Sequence, residues 1–390
     1  MINEKVKQAS SILAEEGIDL WITFVRESEV NNDPILDLIL GANCTWQSAF
    51  IISSRGDAIA IVGSLDETRI KETGAYEVIG YTKSINEPLL ETLKKLSPKS
   101  IAINYSENDY MADGLSHGMY LTLTKILKGT EFEKMLISSE SIISKLRGRK
   151  STEEIRRITK AIELTENIFD KVSNFMKPGM TEKEVAKFIL REVDSAGVVT
   201  AWERDLCPSV FTGPESAGAH AGPTDRKIEK GHVLNIDFGV KVEGYCSDLQ
   251  RTWYFLKEGE TSAPEEVLKA FETVRDAIQL AAEKIRPGLE GREIDHIARS
   301  YITSRGYNEF PHALGHQVGR MVHDGAGLLC PEWDRYGNLP YLKIEEGQVY
   351  TLEPRINLEG FGVATIEEII VVEKDGGKFL SHPQKEIFLI

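Results

Sequence analysis

Through the first 145 residues the apolar positions come in short runs broken by polar stretches. Residues 20–24, 49–53, 58–62, 76–81 and 100–104 each read as a strand. Helical spacing takes over in 87–96 and 113–127, and Val6, Ile12, Leu13 and Ile18 fall roughly on one face of an opening helix. Alternation of this kind predicts an α/β segment with a central sheet.

Beyond residue 150 the pattern changes. Ser151-Thr152-Glu153-Glu154 is a helix start, a hydroxyl followed by acids, and its helix runs to Pro178-Gly179. Thr181-Glu182-Lys183-Glu184 opens another, reaching about residue 196. Strands follow, then helices at about 264–286 and 291–305, then strands again from about 348. The order helix, helix, hairpin therefore occurs twice. The expected organisation is a smaller α/β domain over 1–145 and an α+β domain over 146–390. The basic run Lys145-Leu146-Arg147-Gly148-Arg149-Lys150 at the junction reads as a solvated linker.

Composition narrows the function classes. In 390 residues, 41% are hydrophobic and 27% charged, an ordinary globular balance. The formal net charge of −15 argues against a nucleic-acid binder or a binder of anionic membranes and suits an enzyme that collects cations. No run approaches the ~18 apolar residues of a membrane span, and the charged start of the chain does not read as a signal peptide. Cys44, Cys207, Cys246 and Cys330 lie far apart with no CxxC, so reduced thiols and a cytoplasmic setting are expected.

Two motifs mislead. Gly114-Leu115-Ser116-His117-Gly118 fits the nucleophile elbow in letters, but a loop precedes it where that motif needs a buried strand, so it reads as a helix start. His312 and His316 have i,i+4 spacing, but no Glu follows His312 and Gly315 and Gly319 weaken a helix there, which rejects a zincin reading. Phosphate-binding loops and dinucleotide fingerprints do not occur.

The chemistry lies in two acid pairs. In 232–239, Leu234, Ile236 and Phe238 alternate on one face, with Val233, Asn235 and Asp237 on the other. Residues 245–253 form the next strand. A turn centred on 242/243 sets Asp237 directly opposite Asp248, whereas one centred on 243/244 makes them diagonal neighbours on the same face. Opposed like charges destabilise a sheet, so either one acid is protonated or a cation lies between them. Residues 348–354 and 363–372 read as a second hairpin. Its loop, centred on Gly360, sets Glu353 opposite Glu367, which lies in an Ile- and Val-rich run that suggests burial. A buried carboxylate is costly unless paired or metal-bound. Two same-face pairs, one per half, are what a pseudo-symmetric dinuclear metal site needs, and 311–324 offers His312, His316 and His323 to complete it. Four carboxylates balance two divalent ions, and an oxygen-rich set with one imidazole suits Mn²⁺, Co²⁺, Fe²⁺ or Zn²⁺. Glu243 and Asp225 read as ordinary exposed acids, and His232 and His382 as ordinary histidines.

These motifs carry a resemblance. Ile236-Asp237-Phe238-Gly239, Gly244-Tyr245-Cys246-Ser247-Asp248 with Arg251-Thr252, the His312/His316/His323 run, Leu352-Glu353-Pro354 and Ile366-Glu367-Glu368 resemble the pita-bread metallopeptidases: Xaa-Pro dipeptidase (prolidase), aminopeptidase P and methionine aminopeptidase. The N-terminal segment and the 146–154 junction are similar to the creatinase/prolidase branch. The resemblance implies a pita-bread catalytic domain, with an antiparallel curved sheet and a pseudo-two-fold repeat, behind a creatinase-like N-terminal domain. It implies that Asp237 binds one metal and Asp248 bridges both, that His316 and Glu353 hold the second, and that Glu367 also bridges. His220 would stand near the scissile nitrogen, His312 on the substrate's far side and His323 by the carbonyl oxygen. The implied reaction is attack by a metal-bridging hydroxide on a peptide carbonyl near the N-terminus, often before proline, with Glu353 passing the proton. Two divalent ions are expected, Mn²⁺ or Co²⁺ ahead of Zn²⁺ or Fe²⁺, with a small peptide as substrate, no nucleic-acid or membrane partner, and a homodimer.

The chain departs from the family at Thr365, where proline-specific members usually carry arginine, at Arg355, which replaces the glycine after Glu-Pro, and at Asp324, which replaces a glutamate. Arg355 could stand in for the missing arginine. Residues 325–341 do not match the short family linker, and Trp333 and Arg335 there either cap the pocket or cover a surface. Trp202-Glu203-Arg204 is a candidate pocket wall. Two alternatives remain, a hydrolase of a non-peptide C–N bond, as creatinase is, and a non-catalytic peptide-binding member of the fold. Relatives of both kinds tend to lose ligand residues that this chain keeps.

Overall fold

A computed structural model describes residues 1–215 and 222–390. The chain divides into two compact units, Met1–Arg147 and Gly148–Ile390. No helix among the described residues is long and apolar enough to cross a membrane.

The first unit is built on a six-stranded sheet of β1 (Leu20–Val25), β2 (Ser48–Ser53), β3 (Ala58–Gly63), β4 (Glu77–Tyr81), β5 (Ile101–Ile103) and β6 (Leu136–Ser138), in the order β4-β3-β2-β1-β5-β6. Its helices are α1 (Ile2–Glu16), α2 (Leu36–Ile39), α3 (Glu67–Glu72), α4 (Asn86–Leu96), α5 (His117–Leu127) and α6 (Glu140–Gly148). The strands read as unbroken apolar runs because both faces are covered. Trp21, Phe50, Ile52 and Ala60 pack with Ala9, Ile12 and Leu13 of α1 and Ile142 and Ile143 of α6. The alternate residues Leu20, Ile22, Ile51, Ile59 and Ile61 pack with Leu89 and Leu93 of α4 and Met119 and Leu123 of α5. The helix start expected near Ser116 is present, with Ser116 at the N-cap of α5.

The second unit opens with α7 (Thr152–Phe175) and α8 (Glu182–Ser195), each begun by a capping box, Ser151 with Glu154 and Thr181 with Glu184. Then come β7 (Val199–Thr200), β8 (Ser209–Thr212), β9 (Val233–Phe238), β10 (Val240–Val242), β11 (Tyr245–Cys246) and β12 (Leu249–Tyr254). The second half repeats the order with α9 (Glu265–Lys284) and α10 (Gly291–Ser304), followed by β13 (Gly315–His316), β14 (Leu328–Leu329), β15 (Val349–Leu352), β16 (Arg355–Leu358), β17 (Gly362–Thr365), β18 (Glu368–Glu373), β19 (Gly376–Phe379) and β20 (Phe388–Leu389). The result is the α+β pita-bread architecture expected from the sequence.

Each hairpin is backed by its own long helix. Against β9–β12, α7 sets Phe169 on Phe238 and Trp253, Thr165 on the Ser247 hydroxyl at 2.7 Å, and Ser173 on the Trp253 indole at 2.9 Å. Against the second hairpin, Ala270, Phe271, Val274 and Ala277 of α9 join Ile356, Ala364 and Ile370 in one core.

The solvated-linker reading of 145–150 is wrong. Helix α6 runs through it, Arg147 is buried with its guanidinium on the Pro34 carbonyl, and Lys150 is buried against Asp324 at 3.0 Å. A basic run can be absorbed when each cation meets an acceptor, which composition alone does not show. Asp324 also accepts from the Arg320 backbone N–H at 3.1 Å, so the ion pair pins the loop that carries His316 and His323. Breaking one side of a buried pair costs about 3–5 kcal/mol, because the other charge is stranded. Lys150→Met is therefore expected to lower the unfolding free energy of the second unit by that amount and so its midpoint, and the double variant Lys150→Met/Asp324→Leu to recover most of it. Denaturant titration of both proteins tests this, and an unshifted midpoint for the single variant would refute it.

Candidate metal centre

The first hairpin pairs Gln250 with Asp237 and Leu249 with Phe238. Its tip is Glu243-Gly244, both residues in the left-handed region (φ 49° and 82°), as a tight two-residue turn requires. Of the two registers open from sequence, the turn is therefore the one centred on 243/244, and Asp237 and Asp248 are diagonal neighbours. In the second hairpin Arg355 pairs with Thr365 and Leu352 with Glu368, the register that sets Glu353 opposite Glu367. The expected continuous strands are each interrupted at the acids. Between β11 and β12 lie Ser247 and Asp248; between β15 and β16 lie Glu353 and Pro354; between β17 and β18 lie Ile366 and Glu367. The two hairpins meet in a bridge between Gln250 and Glu367, whose N–H donates to the Gln250 carbonyl at 3.2 Å.

Asp237, Asp248, His316, His323, Glu353 and Glu367 line one cavity of about 220 Å³, with Trp202, Glu203, Leu206 and Val322 as further wall. One ligand atom from each of Asp248, His316 and Glu367 lies within 4.8 Å of the others. His316 Nε2 stands 3.3 Å from Glu353 Oε1 and 3.6 Å from Asp248 Oδ2. Its Nδ1 lies 3.3 Å from the Gln317 carbonyl, a partner that would keep a hydrogen on Nδ1 if a metal took the place of the Nε2 proton. Strand β13 reaches this position only because residue 315 is glycine: a Cβ there would lie 1.8 Å from the Thr351 carbonyl oxygen. His323 sets its ring edge-on to His316 at 4.2 Å. His312 lies outside the cavity lining, with Nδ1 at 2.8 Å from the Ala313 carbonyl. His220 lies outside the described residues.

Burial pushes the Asp237, Asp248 and Glu367 carboxyls well above the usual range, and their neighbours' negative charges push them further. Glu353 goes the other way. Burial is again the largest influence and would raise it, but the His316 hydrogen bond and the charges of His316, His312 and His323 together hold it below its ordinary value. Burial lowers His312. Asp237 Oδ1 and Glu367 Oε1 are buried with no hydrogen-bond partner among the described residues. Orphaned carboxylate oxygens beside an imidazole lone pair fit the donor set of a divalent cation.

Several sequence questions resolve here. Trp202 and Glu203 line the cavity, while Arg204 pairs with Asp194 at 2.7 Å. Trp333 and Arg335 are not in the lining; the Arg335 guanidinium stacks on Trp333 at 4.7 Å. Glu243 is clamped by Arg156 and Lys160 at 2.9 and 2.5 Å, while Asp225 is exposed. His382 is exposed and bonds Glu166 at 2.7 Å. Sequence reasoning passed over Leu206, Val322 and Gln250. The last was findable, because it follows Asp248 by two in a strand and must share its face.

Residues 156–374 match the profile of metallopeptidase family M24. An uncharacterized peptidase of Staphylococcus aureus (strain MSSA476) is 34% identical over 279 residues, 68% of this chain and 75% of that protein. Among solved structures, the X-Pro aminopeptidase from Thermotoga maritima MSB8 is similar at TM-score 0.71 and 26% identity over 99% of both chains. The prolidase from Pyrococcus horikoshii OT3 is similar at TM-score 0.70 and 27% identity, over 99% of this chain and 100% of that one.

Raised carboxyls have a stability consequence. Below about pH 4 the unfolded carboxyls are protonated as well, and the three cost nothing. Above it the unfolded chain ionises first, the native state holds more protons, and stability falls as pH rises until the folded carboxyls ionise too. Chelator-treated protein is expected to melt lower at pH 8 than at pH 5.5, and Glu367→Gln to flatten that slope. Mn²⁺ at a hundred times its Kd should return about 2.7 kcal/mol at pH 8. Thermal melts across this range check the claim; an identical slope in wild type and Glu367→Gln would count against it.

Proposed function

The chain belongs to metallopeptidase family M24, and from that premise we propose that it is a two-metal peptidase that splits small peptides near their N-terminus, with Xaa-Pro bonds as substrates. The observation that carries the reading is the single cavity lined by four acids from two hairpins and by His316 of β13, with two buried carboxylate oxygens that have no hydrogen-bond partner among the described residues. The family depends on divalent metal, and Asp237, Asp248, His316, Glu353 and Glu367 would hold two ions, Mn²⁺ or Co²⁺ by the oxygen-rich donor set. Ions bound there would make a water acidic enough to attack at neutral pH and would polarise the scissile carbonyl.

The chain's own residues supply the rest. Glu353, whose carboxyl the neighbouring histidines hold below its ordinary range, is suited to accept the attacking water's proton and deliver it to the leaving nitrogen. His323, on the cavity wall, can donate to the carbonyl oxygen as it gains charge. Arg355 faces Thr365 directly across the β16–β17 ladder, and its Nε is buried with no hydrogen-bond partner among the described residues. It would bind a substrate carboxylate in place of the arginine that Thr365 replaces. Two of the similar structures are an X-Pro aminopeptidase and a prolidase, which supports proline specificity.

The first unit exposes Val30, Trp46 and Leu65. Apolar side chains of that kind support a homodimer in which this unit meets a second copy. Light scattering on the purified chain is expected to give twice the 43.6 kDa chain mass; a single-chain mass would refute it.

The activity test is hydrolysis of Ala-Pro, Met-Pro, Ala-Ala and a longer Xaa-Pro peptide by metal-stripped protein, with and without Mn²⁺. Cleavage of the proline peptides only with metal, abolished in Asp248→Ala, is expected. Arg355→Gln should raise KM for a free dipeptide about ten-fold or more, the worth of a charged hydrogen bond, and leave the dipeptide amide nearly unchanged. Two ions bound with no cleavage of any proline peptide would sink the Xaa-Pro assignment and point to another amide bond.

A further inference from the structure

Gln250 is 3% exposed and lies directly across the β9–β12 ladder from Asp237. Its side chain leaves that hairpin for the other one. Nε2 donates to Glu367 Oε2 at 2.9 Å, and Oε1 accepts from the Thr365 hydroxyl at 3.3 Å. The same hydroxyl lies 3.2 Å from the carbonyl of Pro354, the residue after Glu353. An ionised Glu367 can only accept, so the amide must turn its NH₂ that way, and its oxygen is left for the Thr365 hydroxyl.

We propose that Gln250 is a positioning residue of the metal centre, fixing the Glu367 carboxylate by one oxygen so that the other faces the cavity, and that Thr365 acts on the centre through it. The proposal rests on the two-metal reading above. Glu367 Oε2 is held by the amide, while Glu367 Oε1 is buried and unpartnered. Rotation of the carboxylate would break a buried hydrogen bond at a point where the hairpins' backbones also join. A neutral donor suits the place. A cation there would satisfy Glu367 and compete with the metal, and a further carboxylate would add to the repulsion around Asp237 and Glu367. The single Thr365 hydroxyl hydrogen is shared between Gln250 Oε1 and the Pro354 carbonyl, so the hydroxyl meets both the residue after Glu353 and the amide that holds Glu367.

The test is a double-mutant cycle read by Mn²⁺ binding, using calorimetry on metal-stripped full-length protein and the spin-coupled signal of the Mn²⁺ pair. Gln250→Leu is expected to weaken Mn²⁺ binding ten- to a hundred-fold and to diminish the coupled signal. Thr365→Val should weaken it a few-fold. In the double variant Thr365→Val should add nothing to Gln250→Leu, because its effect passes through the amide; general loosening of the core would give multiplying effects instead. Wild-type affinity in Gln250→Leu, or multiplying effects, overturns the proposal and leaves the metal centre standing. A wild-type chain that binds no Mn²⁺ overturns both. Should Gln250→Leu fail to fold, Thr365→Val decides alone, and unchanged affinity in it overturns the relay.

Discussion

Mutual repulsion among four carboxylates gathered in one cavity is the constraint around which the second unit is built. Two unit charges 4 Å apart interact by about 4 kcal/mol at an effective dielectric of 20. Asp237, Asp248, Glu353 and Glu367 crowd one small cavity, so their full ionisation without cations is unfavourable. That repulsion, with burial, raises the pKa of three of them, and the neighbouring histidines hold Glu353 down. Metal ions would answer it for the whole set at once. The frame that tolerates such a cluster is correspondingly apolar and rigid, with α7 behind one hairpin and α9 behind the other.

Adjacent acids meet opposite fates under this constraint. Glu368 is fully buried, yet it has Arg251 at 3.1 Å, the Ser381 hydroxyl at 2.6 Å and the Gln384 N–H at 2.9 Å. Glu367, one residue earlier and on the opposite face, receives one side-chain hydrogen bond, from Gln250, and keeps a bare oxygen toward the cavity. The pleat separates an acid with a full set of partners from one that lines the cavity by a single position. The ladder breaks at Asp248, Glu353 and Glu367 belong to the same logic. Regular pairing would hold these side chains perpendicular to the sheet, and interruption lets them converge.

Much of this was legible in the sequence, for identifiable reasons. Period-two alternation, with Gly360 as the turn centre, gave the register of the second hairpin and so the pairing of Glu353 with Glu367. The first hairpin stayed ambiguous by one residue, because Glu243 adopts a left-handed conformation that its identity does not advertise. Capping chemistry located the starts of α7 and α8. Tertiary acceptors were not legible. Arg147 and Lys150 look like linker residues until Pro34 and Asp324 are placed beside them. His312 and His323 have equal standing as letters, yet only His323 reaches the cavity wall.

The exchange at Thr365 shows how far such reasoning carries. A threonine there removes a cation from the face of the second hairpin, and its cross-strand partner is Arg355. Charge is thus retained in the ladder while its attachment point moves to the opposite strand, two residues from Glu353. Burial holds the Arg355 guanidinium below its ordinary pKa, which means that part of its hydration has been lost without a full set of acceptors in return. A carboxylate supplied from outside would complete that set. One of its terminal nitrogens donates to Asn357 Oδ1 at 3.0 Å on the exposed side, while Nε stays buried without an acceptor among the described residues. The threonine, uncharged, donates to the amide of Gln250, so on the proposed function one position would link the anchoring of a substrate terminus to the setting of Glu367.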